Sequence, residues 1–302
     1  MRILHTHIVA EGIAAIRFVD YARSFDAYTK TYPSRQGLKK AILKGAFYID
    51  GEVAQTGIWL QPGQKIDWVE IEQPKTKEYR LELSVLFEDD HFAVINKPAG
   101  VLVSGNQFKT IANCIKGNLK VSTELDALAI PRPVHRLDRL TSGILLIAKT
   151  SRAQISLSNQ FVEKTIKKKY RAIVKGEFPE EGIINTAIDG QSASTKYACI
   201  ARYRSLQNDF ISLVDLYPLT GRTHQLRIHS SEMGHPIIGD KLYTKEGEVL
   251  NGKGLFLTAV AITLSHPISG ESLKFEIEQP AKFDSLIERE LRRWDKFKKG
   301  EA

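Results

Sequence analysis

One stretch of the sequence, residues 133–148, gathers basic side chains, one carboxyl group and two hydroxyls into a predicted turn that runs straight into apolar residues. A nearby arginine lowers the pKa of a carboxyl group, so Asp138 would be ionised and available as a nucleophile or a base. Glycosidases usually need a second carboxyl group to protonate the leaving group. One aspartate suffices when the leaving group tolerates a negative charge, as uracil does. The alternative is a surface loop in which Asp138 only forms a weak ion pair with Arg136 or Arg139.

A second polar concentration, residues 218–229, places Arg222 at a predicted corner between a strand and a helix. Thr223 is predicted to cap that helix, which would end near Gly234. The histidines of this region are not spaced so that two share a helix face, and the sequence has no HExxH motif. No metal site is therefore predicted.

A third stretch, residues 164–174, runs from a basic cluster into a predicted strand, with Lys169 and Tyr170 at the junction. Aromatic side chains near strand ends on a basic surface suit the stacking of a base flipped out of RNA. Taken alone, Tyr170 is more typical of a half-buried strand residue, and a charge run is more typical of a solvated face. Together the three stretches indicate an enzyme that acts on an RNA base or its glycosidic bond.

Predicted strands and helices must hold these polar side chains in place. Residues 144–148 predict a short buried strand directly after the Asp138 turn, because an apolar run bounded by glycine suits a sheet interior. Residues 151–162 predict a helix, and residues 85–95 predict a β-hairpin that leaves Lys97 near a strand end. Residues 106–130 predict a helix followed by a loop.

Composition bounds the class of protein. The chain has 302 residues, of which 42% are hydrophobic and 26% charged, as expected for a soluble protein of two domains. We find no apolar run long enough to span a membrane and no secretory signal, and two cysteines are typical of a reducing compartment, so a cytoplasmic location is expected. The net charge of +8 favours a polyanionic partner, although a merely soluble basic protein explains it equally well.

The first 75 residues are predicted to be a separate domain, joined through a polar linker at residues 73–77 to a second domain of residues 76–302. Within the first domain, one predicted helix carries a basic face, and an Asp50-Gly51 hairpin turn follows it. The basic face consists of Arg35, Lys39, Lys40 and Lys44. Residues 22–72 resemble the αL RNA-binding module of ribosomal protein S-four, although Asp50 replaces the usual asparagine and Gly37 lies inside the basic helix. The alternative is a solvated cationic face on a purely structural domain.

The second domain resembles the RluA family of pseudouridine synthases over roughly residues 80–280. Four motifs in the family's order carry this resemblance: residues 96–101 (NKPAGV), 135–143 (HRLDRLTSG), 169–170 (KY) and 220–229 (TGRTHQLRIH). The sequence HPIIGD at 235–240 is also similar. The usual His-Pro after the first motif is replaced by Ser104-Gly105. The resemblance implies an α+β fold around a mixed, mostly antiparallel sheet with flanking helices, and isomerisation of uridine to pseudouridine in structured RNA without cofactor or metal.

The resemblance also implies residue roles. Asp138 is the expected nucleophile, Arg222 its ion-pair partner, and Tyr170 the ring that stacks on the target base. Leu226 is expected beneath the base, and Arg136 at the position from which the nucleotide flips. Further substrate contacts are expected from Lys97, His135 and Lys169.

Ribosomal RNA is the preferred substrate, because an αL module in this family tends to accompany large-subunit targets, and a monomer is expected. Transfer RNA remains an alternative substrate. Two other classes remain as rivals: a non-catalytic RNA-binding factor for ribosome assembly, and a nucleoside or sugar hydrolase.

Overall fold

The structure is a computed structural model, and it describes residues 2–32, 34–70, 79–245, 249–250 and 252–300. The chain divides into two compact units, Met1–Thr76 and Lys77–Ala302. The predicted linker, residues 73–77, lies outside the described residues. No helix in the described ranges is both long and apolar enough to cross a membrane.

The first unit is a small α/β module with a well-packed aromatic core. Its elements are β1 (Ile3–Ile8), β2 (Ile16–Arg17), α1 (Phe18–Ala22), α2 (Asp26–Thr31), α3 (Arg35–Leu43), β3 (Phe47–Ile49), β4 (Glu52–Val53), β5 (Trp59–Leu60) and β6 (Lys65–Val69). Four strands form a sheet in the order β1-β6-β3-β4. Helix α3 begins where Ser34 Oγ accepts a hydrogen bond from the Gly37 N–H, and it buries Leu38 and Ile42. The predicted basic helix and the hairpin after it are confirmed.

The second unit is built on one large sheet. Its elements are β7 (Ser84–Glu88), β8 (Phe92–Lys97), α4 (Ile111–Cys114), β9 (Ala127–Pro133), β10 (Ser142–Thr150), α5 (Ser151–Val162), β11 (Lys167–Lys175), β12 (Glu181–Ile184), β13 (Thr195–Ser205), β14 (Asp209–Pro218), α6 (Gln225–Glu232), β15 (Leu257–Ser265), β16 (Ser272–Glu276) and α7 (Lys282–Gly300). The main path of the sheet is β12-β13-β14-β11-β15-β10-β8-β7, with β16 beside β15 and β9 beside β10. Of the strand pairs in the described residues, only β10 with β15 is parallel. The predicted α+β fold with a mostly antiparallel sheet is confirmed.

Strands β8 and β10 read as continuous apolar runs because both of their faces are buried. Ile95 and Leu145 belong to the core on one face of the sheet, and Val94 and Leu146 belong to the core on the other. Burying a side chain of this size contributes about 1.5–3 kcal/mol. The turn that carries Asp138 therefore directly precedes a strand that is buried along almost its whole length, as predicted.

The helices between residues 106 and 234 agree only in part with the sequence predictions. Helix α5 spans the predicted residues 151–162. The prediction that Thr223 caps α6 is wrong, because the residue before the helix is His224, in the left-handed conformation with φ 55°. Between residues 106 and 130 the regular structure is α4, one turn of 3₁₀ helix at Ile115–Gly117 and the start of β9.

Candidate active site

A cavity of about 920 Å³ lies where the turn before β10, the start of β11 and the β14–α6 turn meet. The three stretches singled out in the sequence all line it. Its lining includes Asp138 and Arg136 from the first, Tyr170 from the third, and Arg222 and Leu226 from the second. The tertiary structure thus brings together residues that are separated by up to 90 positions in the sequence.

Asp138 sits in a tight turn that is fixed at both ends. The Thr141 N–H donates to the Asp138 carbonyl oxygen over 3.1 Å, and the preceding Leu137 is buried. After the turn, Gly143 adopts φ +113°, and a Cβ there would overlap the backbone oxygen of Ala259 on β15. Gly143 thus permits the close parallel pairing of β10 with β15, which holds the turn against the sheet.

A buried lysine ties this turn to the loop after β8. The Lys97 Nζ donates to the carbonyl oxygens of Pro98 and Val101 over 2.8 Å and to that of Arg139 over 3.3 Å. Burial lowers the pKa of Lys97 to about 8, and the Asp138 charge opposes that shift. The prediction that Lys97 contacts the substrate is wrong, because its side chain is enclosed by these backbone oxygens and has no exposed surface.

The ion-pair partner of Asp138 is Arg227. The Arg227 Nη1 lies 3.5 Å from Asp138 Oδ2, and Arg227 is itself held by two hydrogen bonds to Asp240, of 2.6 and 2.8 Å. Burial alone would lower the pKa of Arg227, but the Asp240 hydrogen bonds raise it above its usual range. Asp138 therefore faces a charged guanidinium that the Asp240 hydrogen bonds hold in place.

Arg222 does not pair with Asp138, so that prediction is wrong. It is exposed at the cavity edge, and its Nε donates to the Ser192 carbonyl oxygen over 3.1 Å. The physical reason lies in the turn before α6. The left-handed His224 redirects the chain there, so Arg227 enters the core while Arg222 stays outside.

Tyr170 lies in the middle of the sheet, between Leu216 of β14 and Ala259 of β15, and its ring faces the cavity. Burial and the Asp138 charge raise the pKa of its phenol well above the usual range. The side chain is therefore a neutral aromatic surface at physiological pH. Leu226 is buried and also lines the cavity, so an apolar residue and an aromatic ring flank the space beside Asp138.

Lys169 points away from the cavity. Its Nζ lies 3.2 Å from Asp215 Oδ2 and 3.5 Å from Glu276 Oε1, so the prediction that it contacts the substrate is wrong. Lys168 lines the cavity instead, with Tyr170. The signal that could have identified it is strand alternation, since residues i and i+2 share a face.

His135 lines the cavity, and a hydrogen bond and a ring contact hold its imidazole in place. Its Nε2 accepts a hydrogen bond from the Leu146 N–H over 3.0 Å, and its ring packs on Phe161. Burial and the nearby Lys168 lower its pKa to about 3, so the imidazole is neutral. Arg136, the next residue, is exposed at the cavity edge.

In the first unit, α3 presents the predicted basic residues Arg35, Lys39, Lys40 and Lys44, all exposed. Arg35 forms a surface ion pair with Asp20, with its Nη2 3.1 Å from Oδ1. RNA binding by this face stays a prediction.

Comparisons with known proteins agree with this site. Residues 91–232 match the model of a family described as RNA pseudouridylate synthase. A protein of Aquifex aeolicus named "Uncharacterized RNA pseudouridine synthase" is 32% identical over 288 residues, which cover 85% of this chain and 90% of that protein. The "Ribosomal large subunit pseudouridine synthase D" of Xanthomonas campestris is 30% identical, with 88% of each chain covered.

Among solved structures, "Human RNA Pseudouridylate Synthase Domain Containing 1" superposes with a TM-score of 0.56 and 25% identity. The match covers 69% of this chain and 86% of the human one. An extended match to relatives, a shared sheet architecture and a cavity built around one aspartate agree with one another. The chain belongs to the RluA family of RNA pseudouridine synthases, which are isomerases.

Proposed function

We propose that this enzyme converts specific uridines of ribosomal RNA to pseudouridine, with the Asp138 carboxylate as the nucleophile and without a cofactor. The observation that carries the proposal is the buried Arg227–Asp240 pair behind Asp138. Arg227 donates two hydrogen bonds to Asp240 and lies 3.5 Å from Asp138 Oδ2, so one buried guanidinium positions both carboxylates. This pair holds the Asp138 carboxylate at the wall of an open cavity, where a nucleophile can reach a bound nucleotide.

The cavity offers a setting for a flipped uridine. Tyr170 supplies a neutral ring on which uracil can stack, and base–aromatic stacking contributes about 1–3 kcal/mol per base. Leu226 supplies an apolar support. In the proposed reaction the Asp138 carboxylate bonds to C1′ of the ribose as the N-glycosidic bond breaks, the held uracil anion turns, and its C5 carbon then displaces the carboxylate from C1′. Uracil leaves as a stabilised anion, so no second carboxylic acid is required.

Basic residues surround the cavity opening and suit an RNA backbone. We name this set the cavity rim: Arg136, Lys164, Lys167, Lys196 and Arg222, all exposed. Exposed lysines and arginines bind phosphates chiefly through charge, so substrate binding should weaken as salt rises. In the same proposal, α3 of the first unit adds a second basic contact with RNA.

The choice of ribosomal RNA rests on the relative from Xanthomonas campestris, whose name specifies the large ribosomal subunit, and on the basic first unit. The enzyme is further proposed to act as a cytoplasmic monomer. The test is to map pseudouridines by carbodiimide modification and primer extension in ribosomal and transfer RNA of a deletion strain. We expect at least one site in large-subunit RNA to lose its signal and to regain it with the wild-type gene but not with Asp138→Asn. A loss confined to transfer RNA would overturn the ribosomal assignment.

A further inference from the structure

The isomerisation leaves one proton to be moved. When the C1′–N1 bond breaks and C1′ bonds to C5, the C5 carbon still carries its hydrogen. That C5–H bond must break, its electron pair must return to the ring, and N1 must gain a proton. Since C5 is then attached at C1′, a base is needed close to the group that reacts at the sugar. This inference rests on the proposed role of Asp138.

The basic side chains of the cavity lining are poor candidates for this base. Arginines and exposed lysines carry their protons at neutral pH. Lys168, whose pKa is lowered by burial, directs its Nζ towards the Thr220 carbonyl oxygen at 3.5 Å. Each holds its proton or is turned to another partner.

The tyrosines and His135 are poor candidates as well. Tyrosine phenols release protons only near pH ~10, and burial raises the pKa of Tyr170 further. His135 has no free lone pair, because Nε2 accepts from Leu146 and Nδ1 carries the proton of the neutral ring.

His224 is placed differently. It lines the same cavity, its Nε2 lies 3.9 Å from Asp138 Oδ2, and its Nδ1 lies 2.9 Å from the Tyr243 hydroxyl. Its backbone is in the left-handed region, which non-glycine residues adopt rarely and which recurs at functional sites. We propose that His224 is a catalytic residue whose Nε2 accepts the C5 proton of the rearranged base.

The groups around the imidazole support this role. The ring faces Asp138 on one side and Tyr243 on the other, and Arg227 stacks over the Tyr243 ring at 5.0 Å. When Nδ1–H donates to the Tyr243 oxygen, the Nε2 lone pair faces the cavity. The imidazolium formed by proton uptake is stabilised by the Asp138 carboxylate. It then releases its proton to water, and N1 takes one from water, so the reaction remains a net isomerisation.

The test uses the full chain and total RNA from a deletion strain grown with uridine deuterated at C5, so that it does not depend on which RNA is modified. His224→Asn is the main variant, because asparagine tolerates the left-handed backbone. We expect the rate of pseudouridine formation to fall by about 10²–10⁴-fold, the usual contribution of a general base. We also expect a larger C5-deuterium isotope effect than in the wild type, because C5 deprotonation becomes rate-limiting. A merely structural role would not change the isotope effect.

Three further variants separate the role of His224 from that of Asp138 and from general effects of substitution. Tyr243→Phe removes the Nδ1 partner and should raise the isotope effect by a smaller amount. His266→Gln, at the end of β15 remote from the cavity-lining Leu257, should behave as the wild type. Asp138→Asn tests the nucleophile separately: an active Asp138→Asn enzyme would overturn the proposed function. A wild-type rate for His224→Asn, or a slow rate with an unchanged isotope effect, would overturn the role of His224.

Discussion

Two regions of the cavity use arginine in opposite ways. The cavity floor, which we define as Asp138, Arg227 and the buried Asp240 behind them, holds an arginine that is only 3% exposed. This arginine lies 3.5 Å from Asp138 and 2.6 Å from Asp240. The cavity rim holds Arg222, five residues earlier in the same motif, exposed and bonded only to a backbone oxygen in the contacts described. Burial makes the first arginine a fixed part of the protein's charge arrangement, whereas exposure leaves the second available to a phosphate. In the proposed function, the buried arginine serves the chemistry and the exposed arginine binds the substrate, although both residues are of the same type.

The largest expected effect comes from Asp138 itself. Asp138→Asn keeps the size of the side chain and removes the charge and the nucleophile. We expect pseudouridine formation to fall by roughly 10⁴-fold or more, as for other enzymes that lose a nucleophile. Because the side chain is partly exposed, the melting temperature should change little. Tritium release from RNA labelled at C5 of uridine measures the rate, and a residual rate near that of the wild type would contradict the assignment.

Next in size is the contrast between the two arginines. Arg227→Met leaves Asp240 buried without its cation, which typically costs about 3–5 kcal/mol of folding free energy. The Arg227→Met enzyme should also lose activity, since Asp138 loses its ion-pair partner. Urea unfolding measures the loss of stability, and the tritium-release assay measures the loss of activity. Arg222→Met is the matched control for both. If both substitutions lowered stability and activity equally, the cavity floor and the cavity rim would not differ as described.

The pH dependence of stability sharpens the same contrast. Burial would raise the pKa of Asp240, but hydrogen bonds from Arg227 and the Leu242 N–H lower it below its usual value. The folded state binds the Asp240 proton more weakly than the unfolded state does. The ionised Asp240 therefore stabilises the fold at a pH above the unfolded pKa, and this stabilisation is lost as pH falls through the folded pKa. The melting-temperature difference between wild type and Asp240→Asn should therefore stay constant down to about pH 4, the unfolded pKa of an aspartate, and shrink as pH falls further. A difference that is constant with pH would argue against an ionised Asp240.

The smallest effect is expected at the rim. Arg222→Met should raise KM for RNA a few-fold and leave kcat nearly unchanged, because a phosphate contact binds ground state and transition state alike. It should also reduce the slope of log affinity against log salt by about 0.7–0.9, the value for one phosphate contact. Filter binding at several salt concentrations measures this slope. A fall in kcat with unchanged KM would instead place Arg222 in the chemistry.

Much of the scaffold was predictable from local pattern. The continuous apolar run of β10, the span of α5 and the Ser34 cap of α3 follow from periodicity and capping rules, which depend only on near neighbours in the chain. Strand alternation would also have placed Lys168 rather than Lys169 beside Tyr170. The expectation for Lys169 came from the resemblance of the Lys169-Tyr170 motif, which does not specify the face of the strand on which each side chain lies.

The sequence by itself determined that Asp138, Tyr170 and the residue 218–229 turn belong to one site, because the order and composition of the motifs identify the family. Only the tertiary structure decided which cation holds Asp138. Arg222 and Arg227 have the same chemistry, and a backbone reversal at His224 selects between them. Likewise, Lys97 became a buried anchor through carbonyl oxygens from two loops about 40 residues apart. Such choices depend on which groups are excluded from water, and that is fixed only when distant segments pack together.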